Sequence, residues 1–429
     1  MNFMNAMNAM NEMIQPPPAV QTVLEYLNRA GYPAYVVGGC VRDSLRGGQP
    51  QDWDIATAAP PERVLEIFAA FRVIETGLKH GTVTVLMDTL PIEVTTFRID
   101  GDYSDSRRPD TVRFVDAVEE DLARRDFTVN AMAWHPREGL VDPYGGRRDL
   151  ENKIIRCVGD AAARFSEDAL RILRALRFAA VFGFAIEPET ATELRRKAPN
   201  LDKIARERIA AELIKLLCGK NACEVMTGFP EVIATVWPAV LAAMDAGVEI
   251  YARACRVAAG VPPVPALKLA AVYLGTGGQD EREIERQLRG LKLDNATIDR
   301  TLTLARYAGA PLEKPADIRR LAGRIGEEAL RQLLTLRRAA CAAQMPVPQG
   351  EPEILDAAER QLNAILARND CCALRQLAVS GADLLAAGIP AGPALGKELQ
   401  RLLDAVIEGE LPNERDALLA AIEPPNNNV

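Results

Sequence analysis

Only two histidines, His80 and His135, occur in 429 residues, which excludes any site built on several imidazoles, an HD-type phosphohydrolase centre included. A metal bound by this chain must rest on carboxylates, and oxygen ligands favour Mg2+, with Mn2+ as the alternative. The eight cysteines form no CxxC pair, and the adjacent Cys371 and Cys372 are poorly placed for an ordinary disulfide, so reduced thiols are expected. No apolar run approaches the ~20 residues of a membrane span, and no membrane partner is expected. The opening MNFMNAMNAMNEMIQPPP has neither a basic start nor a continuous apolar stretch, so it fails as a secretory signal. Residues 1–18 read as a disordered leader on a cytoplasmic protein. There is no GxxxxGK[ST] loop, so a Walker-type nucleotide site is excluded. Nor is there an excess of positive charge: a net charge of −8 argues against a protein that coats nucleic acid indiscriminately.

What is present is uneven. Residues 151–220 hold 14 Lys and Arg against 10 Asp and Glu, a local balance of +4 that leaves −12 for the rest of the −8 chain. A basic middle between acidic ends suits one confined contact with a polyanion. A helix over 19–30 and a strand Ala34–Val37 come first, then a short helix Val41–Leu45. Strands near Asp52–Ala56, Val83–Met87, Ile92–Arg98 and Val112–Val115 complete a mixed α/β region to about residue 150. From about residue 160 the apolar spacing changes to the helical period and stays there, punctuated by proline. The predicted fold class is therefore a multi-domain chain, an α/β head of mixed sheet and helices followed by all-α domains. The domains read as a leader 1–18, a catalytic head 19–150, a helical neck 151–225, and a helical body and tail 226–429. Nothing in the pattern specifies an oligomeric state.

Asp52 and Asp54 in QDWDIAT stand two apart on the predicted strand, so both carboxylates should share one face while Trp53 takes the other. Such a pair suits two divalent ions, one activating an attacking hydroxyl and one holding a triphosphate. Glu93, in PIEVTTFR, is the candidate third carboxylate on a neighbouring strand. Upstream, Gly38 and Gly39 precede a helix and leave room for phosphate oxygens, and Arg42, followed by Asp43, adds a cation. Taken alone, D-x-D is common on exposed strand edges; a short helix after GGCVRD gives it a phosphate site to work with. In RRDFTVNAMAW, Arg125 is a candidate phosphate ligand, with Asp126 and Asn130 as partners for ribose hydroxyls. A plain helix with surface arginines is the bland alternative.

The segment SEDALRILRALRF predicts a helix over Ser166–Phe178 with Ser166 as its N-cap. Asp168, Arg171, Arg174 and Arg177 recur every third residue on one side of it; a solvated arginine stripe would show the same spacing. Cytosine and adenine each present an amine donor beside a ring-nitrogen acceptor, whereas uracil and guanine present a carbonyl beside an N–H. A carboxylate next to a guanidinium satisfies the first pair and leaves the second unpaired, at a cost of ~1–3 kcal/mol per contact.

GGCVRDSLRGGQPQDWDIAT, KHGTVTV, IEVTTFR, DGDYSDSRRP, RRDFTVNAM, DPYGGRRDL, SEDALRILRALRF and RERIAAEL, in that order over about residues 20–220, resemble the successive motifs of the class II tRNA nucleotidyltransferase and poly(A) polymerase family, the CCA-adding enzymes most closely. The resemblance implies template-independent addition of CCA to tRNA 3′ ends from CTP and ATP, with tRNA as partner. It implies that Asp52 and Asp54 bind the metals, that Gly39, Arg42 and Arg125 bind triphosphate and sugar, and that Asp168 and Arg171 read the base. Arg174 and Arg177 would line the nucleotide or primer path. Asp142–Gly146 resembles the family's hinge and Asp100–Asp110 its flexible loop. The tryptophan between the aspartates departs from the aliphatic residue usual there. An enzyme adding only the terminal A, a poly(A) polymerase acting on unstructured RNA, and a non-catalytic RNA-binding module remain the alternatives.

Overall fold

The computed structural model describes residues 13–101, 111–277, 280–344 and 348–422. The chain divides into two compact units, residues 1–241 and 242–429, so the first runs past the boundary read after residue 225. Most of the leader lies outside the described residues; its end does not fit the expectation of disorder, since Ile14 is 1 % exposed and Pro16 accepts a hydrogen bond from Gln21 Nε2.

In the first unit α1 (Pro18–Arg29) leads to β1 (Ala34–Val37), α2 (Gly39–Leu45), β2 (Asp54–Thr57), α3 (Pro61–Ile67), β3 (Arg72–Gly77), β4 (Thr82–Met87) and β5 (Leu90–Thr96). After β6 (Arg98–Asp100), β7 (Val112–Phe114) and α4 (Val118–Ala123) come β8 (Ala133–His135) and β9 (Gly139–Val141). Seven of these strands form one sheet in the order β3-β4-β5-β2-β1-β8-β9. Only β2 and β5 pair in parallel; the other neighbours are antiparallel. β1 (AYVV) is buried at all four positions, as a central strand covered on both faces must be. The alternating burial of β4 marks a half-buried strand. Tyr35, Val37, Ala56 and Phe97 gather with Val118, Leu122 and Val158 on one side of the sheet. β6 and β7 pair separately, as the stem of the loop Asp100–Asp110, whose residues 102–110 lie outside the described residues.

The segment DPYGG closes a turn: both Asp142 carboxylate oxygens accept backbone N–H groups, from Gly146 and Arg147. A Cβ at Gly146 would meet the Thr128 carbonyl at 2.1 Å, so only glycine fits there. α5 (Gly146–Glu151), β10 (Ile154–Ile155), α6 (Ala161–Glu167), α7 (Leu170–Phe182), β11 (Ala185–Ile186), α8 (Pro188–Lys197) and α9 (Arg206–Leu217) follow, then α10 (Ala222–Gly228), α11 (Pro230–Ala234) and α12 (Pro238–Ala246), which spans the division.

The single helix expected over Ser166–Phe178 is two helices. Ser166 lies inside α6, its hydroxyl bonded to the Ala162 carbonyl, and the cap of that helix is Asp160. Asp168 adopts an extended backbone, and its carboxylate accepts the Leu170 N–H that starts α7. Asp and Ser both favour helix ends over interiors, and here the aspartate is the residue that interrupts the run.

The second unit is helical among the described residues. α13 (Val248–Ala259), α14 (Pro265–Gly275), α15 (Glu281–Gly290) and α16 (Asn295–Tyr307) precede the long α17 (Pro315–Ala342), which Gly326 breaks with φ +79°. After α18 (Glu351–Arg368), α19 (Gly381–Ala386), α20 (Pro393–Glu408) and α21 (Arg415–Ala420) bury Leu384, Leu402, Leu403 and Leu418 together. Among the described residues no helix is long and apolar enough to cross a membrane.

Candidate active site

β2 begins at Asp54, not Asp52: Asp52 lies on an exposed bend ahead of the strand, and Trp53, 5 % exposed, buries its ring between the two acids. Strand alternation therefore does not govern Asp52. The two aspartates nevertheless open onto one cleft, about 630 Å³ in volume, that Gly39, Arg42 and Asp43 also line. Glu93 stands directly beside Asp54 in the parallel register of β2 and β5, which puts the two side chains on the same face. Burial raises the Asp54 carboxyl above its ordinary range, and the charges of Glu93 and Asp52 raise it further against the lowering effect of Arg125. Such an acid cluster favours a bound cation. Among the described residues no three acidic, cysteine or histidine side chains form a group able to hold a metal ion, so the fit rests on the pair Asp52 and Asp54.

Gly38 turns the chain from β1 into α2 with φ +77°, and a Cβ there would come within 2.7 Å of Arg125 Nη1. That glycine is what lets Arg125 lie against the turn. Its amide donates to the Met132 carbonyl, so the turn is pinned to the segment before β8. Arg125 also bonds to Asp121, which Arg124 grips with two further hydrogen bonds. Burial opposes ionisation of Asp121, but the two guanidinium groups win and hold its carboxyl below the usual range.

The remaining predicted residues form a continuous charged chain. Arg42, 8 % exposed, donates Nε and Nη2 to Asp43 and Nη1 to Asn130 Oδ1. The Asn130 amide donates to Asp126 Oδ1, and Asp126 Oδ2 accepts Nε and Nη2 of Arg174 at 2.9 and 2.7 Å. Burial would raise Asp126, yet Arg174 and Asn130 together bring it down to about 2. Arg177 Nε lies 3.0 Å from Glu212, although the angle there falls short of a hydrogen bond. Asp126 and Asn130 lie not on a surface helix: Asp126 is on a bend before a short 3-10 turn, Thr128–Asn130, that leads into β8.

Asp168 and Arg171 face the same junction of α6 and α7; the Arg171 amide donates to the Asp168 carbonyl, but their side chains take different partners. Asp168 Oδ2 accepts from Arg208 at 2.9 Å, while Arg171, 9 % exposed, donates to Glu167 and to the Arg124 carbonyl. Both are thus held by neighbours, with their orientation fixed before any ligand arrives.

Asp121, Arg208 and Glu212 escaped the sequence reading. Arg208 and Glu212 are one helical turn apart in RERIAAEL, and that i, i+4 pattern of opposite charges, each facing a predicted site residue, was the available signal. Asp121 sits four residues before Arg125, the same spacing. A larger hollow of about 860 Å³ lies in the second unit, where Arg320, Arg324, Arg375 and Gln400 line it.

Residues 34–156 match the poly(A) polymerase head domain, 183–227 the probable RNA- and SrmB-binding site of polymerase A, and 267–422 the putative tRNA nucleotidyltransferase domain 2. A curated CCA-adding enzyme of Geobacillus stearothermophilus is 39 % identical over 93 % of this chain and 94 % of its own length. That of Limosilactobacillus fermentum is 36 % identical over the same shares, 93 % and 94 %. The crystal structure of the Bacillus stearothermophilus CCA-adding enzyme in complex with CTP superposes with a TM-score of 0.77 at 33 % identity, covering 95 % of this chain and 97 % of that one.

Proposed function

Because this chain belongs to the CCA-adding enzymes of the tRNA nucleotidyltransferase and poly(A) polymerase family, we propose that it adds CCA, without a nucleic-acid template, to the 3′ end of tRNA from CTP and ATP. The observation that carries this reading is the meeting of Asp52 and Asp54 in one cleft with Gly39 and Arg42, beside Arg125 on Gly38.

Asp52 and Asp54 would hold the two divalent ions, Mg2+ by the hardness of their oxygens, with Glu93 as a neighbouring charge that would strengthen the attraction. When bound, the metal makes the terminal hydroxyl of the RNA a better nucleophile and neutralises charge on the triphosphate. Gly38 and Gly39 admit phosphate oxygens close to the backbone, and Arg42 and Arg125 supply fixed positive charge beside them. The RNA 3′ oxygen bonds to the α-phosphorus, the bond to pyrophosphate breaks, and the hydroxyl proton is released at the acid pair. Asp168 accepts from the exocyclic amine of cytosine or adenine while Arg171 donates to the ring nitrogen; against uracil or guanine both would face like groups.

Asp43, Asp126, Asn130, Arg174 and Arg177 tie the phosphate turn to α7, so that phosphate and base are held at a fixed separation. Asp126 has both oxygens engaged, which favours a bracing role over a direct ribose contact. The head 19–150, neck 151–225 and helical remainder divide the work into transfer, base reading and RNA holding, the last supported by the arginine-lined hollow of the second unit.

Two tRNA substrates test the reading. One lacking the whole CCA should gain two cytidines from CTP alone; one ending in both cytidines should gain a single adenosine from ATP alone. Growth of only the second would make this an A-adding enzyme, long tails on unstructured RNA a poly(A) polymerase, and no growth of either a binding module.

A further inference from the structure

The cleft that begins at Gly39 and the two aspartates does not run toward the base-reading junction. Its walls continue past Arg46 to Phe182, and neither Arg125, Asp168 nor Arg171 lines it. It therefore holds the acid pair and the phosphate turn but neither of the residues assigned to the incoming base. In-line displacement requires the attacking oxygen and the leaving pyrophosphate on opposite sides of the α-phosphorus. A base platform in this cleft, apart from the pair that reads the incoming base, is a seat the RNA end can fill.

The far wall of the cleft has the chemistry of a nucleobase platform. The Arg46 guanidinium lies 4.2 Å over the Phe182 ring, and Phe182 in turn stacks on Phe178 with centroids 5.4 Å apart and planes 17° from parallel. Arg42 flanks the same ring at 4.8 Å. The two arginines differ in how far their donors are used. Arg42 is bound to Asp43 and Asn130, whereas Arg46 approaches Asp43 at 3.7 Å and keeps its side chain 35 % exposed. A flat, half-exposed guanidinium backed by an aromatic ring is a surface on which unpaired RNA bases stack, and its N–H groups suit a phosphate or a base edge.

We infer that Arg46, laid on Phe182, seats the 3′-terminal nucleotide of the RNA acceptor and so brings its hydroxyl to Asp52 and Asp54. The inference rests on the reading that Asp168 and Arg171 take the incoming base, which leaves the Arg46 platform to the acceptor. Arg46 is a positioning residue in this account: it fixes the acceptor and takes no part in the bond exchange.

The test separates acceptor from nucleotide. With wild type, Arg46→Ala, Arg46→Lys and Phe182→Leu, KM is measured for tRNA at saturating CTP and for CTP at saturating tRNA. Arg46→Ala should raise the tRNA KM about tenfold, the loss of one stacked base, and leave the CTP KM within twofold. Arg46→Lys, which keeps the charge but not the plane, should recover only part of the loss, and Phe182→Leu should resemble Arg46→Ala. A tRNA carrying 4-thiouridine as its terminal nucleotide should cross-link to residues 46–51 or to Phe182. An unchanged tRNA KM, an equal rise in both KM values, or a cross-link confined to other segments would overturn the inference while wild-type extension stands. A wild type that extends no tRNA would overturn the underlying reading as well.

Discussion

The two units handle charge in opposite ways. In the first, Arg42, Asp121, Asp126, Asp149, Arg171 and Glu212 are all buried, each 9 % exposed or less, and several are joined end to end. In the second, the only buried charged side chain is Lys268 among the described residues, its Nζ donating to the Ala258 carbonyl. Ion pairs there are largely exposed, as in Glu283 with Arg286, Glu285 with Arg289 and Glu327 with Arg331, each within one turn of its own helix. Taking an ion out of water costs several kcal/mol, and its partner must offset that. A fold gains little stability from such burial, so its concentration in the first unit points to chemistry that needs charges held still.

Five substitutions sharpen or break this contrast. Asp52→Ala and Asp54→Ala should each lower extension at least about a thousandfold, while filter binding shows tRNA affinity, set by phosphate contacts, within severalfold. Persistent extension in both would remove the metal assignment. Asp126→Asn should cost about 3 kcal/mol in urea unfolding, because Arg174 is left without its partner. The wild-type pair has its own pH signature. With Asp126 lowered from 3.8 to about 2 in the fold, its contribution of roughly 2 kcal/mol is complete above about pH 5 and is lost as pH falls toward 2. Unfolding followed between pH 5 and 2 should show that loss in wild type and a flatter dependence in Asp126→Asn. Arg171→Ala should relax the preference for CTP over UTP about tenfold, read from single-nucleotide incorporation, with a smaller effect on tRNA affinity; a uniform loss of binding would place this arginine on the RNA backbone. In the second unit, Arg306→Ala should leave the urea midpoint almost unchanged, since its pair with Glu281 is exposed. A larger loss would show that charge in that unit is not merely a solvated coat.

The same contrast explains what could be read from the sequence. Strands with clean apolar runs, such as YVV in β1 and the alternation of β4, were legible, because hydrophobic period survives without knowledge of the partners. β3, β8 and β9 were not: RVIETG, AWH and GLV are short or mixed, and pairing with neighbours is what makes them strands. The acid pair was legible as residue types, but the strand placement of Asp52 was not, since Trp53 anchors the bend by packing that the one-dimensional pattern does not contain. The break at Asp168 followed the same rule. Its neighbours on both sides have good helical spacing, and the carboxylate's bond to the Leu170 amide, together with Arg208 from α9, decides the local backbone. Motifs announced which segments matter; the partners of each charge, such as Glu212 for Arg177 and Asp121 for Arg125, came only with the fold.

The most direct check is a single-turnover extension of tRNA lacking its 3′ CCA, with CTP, ATP, UTP and GTP offered one at a time and then CTP with ATP. Two cytidines from CTP alone, a third step to adenosine when ATP is added, and negligible product from UTP or GTP are predicted. Comparable incorporation of all four nucleotides, or none of any, would contradict an acid pair served by a base-reading helix.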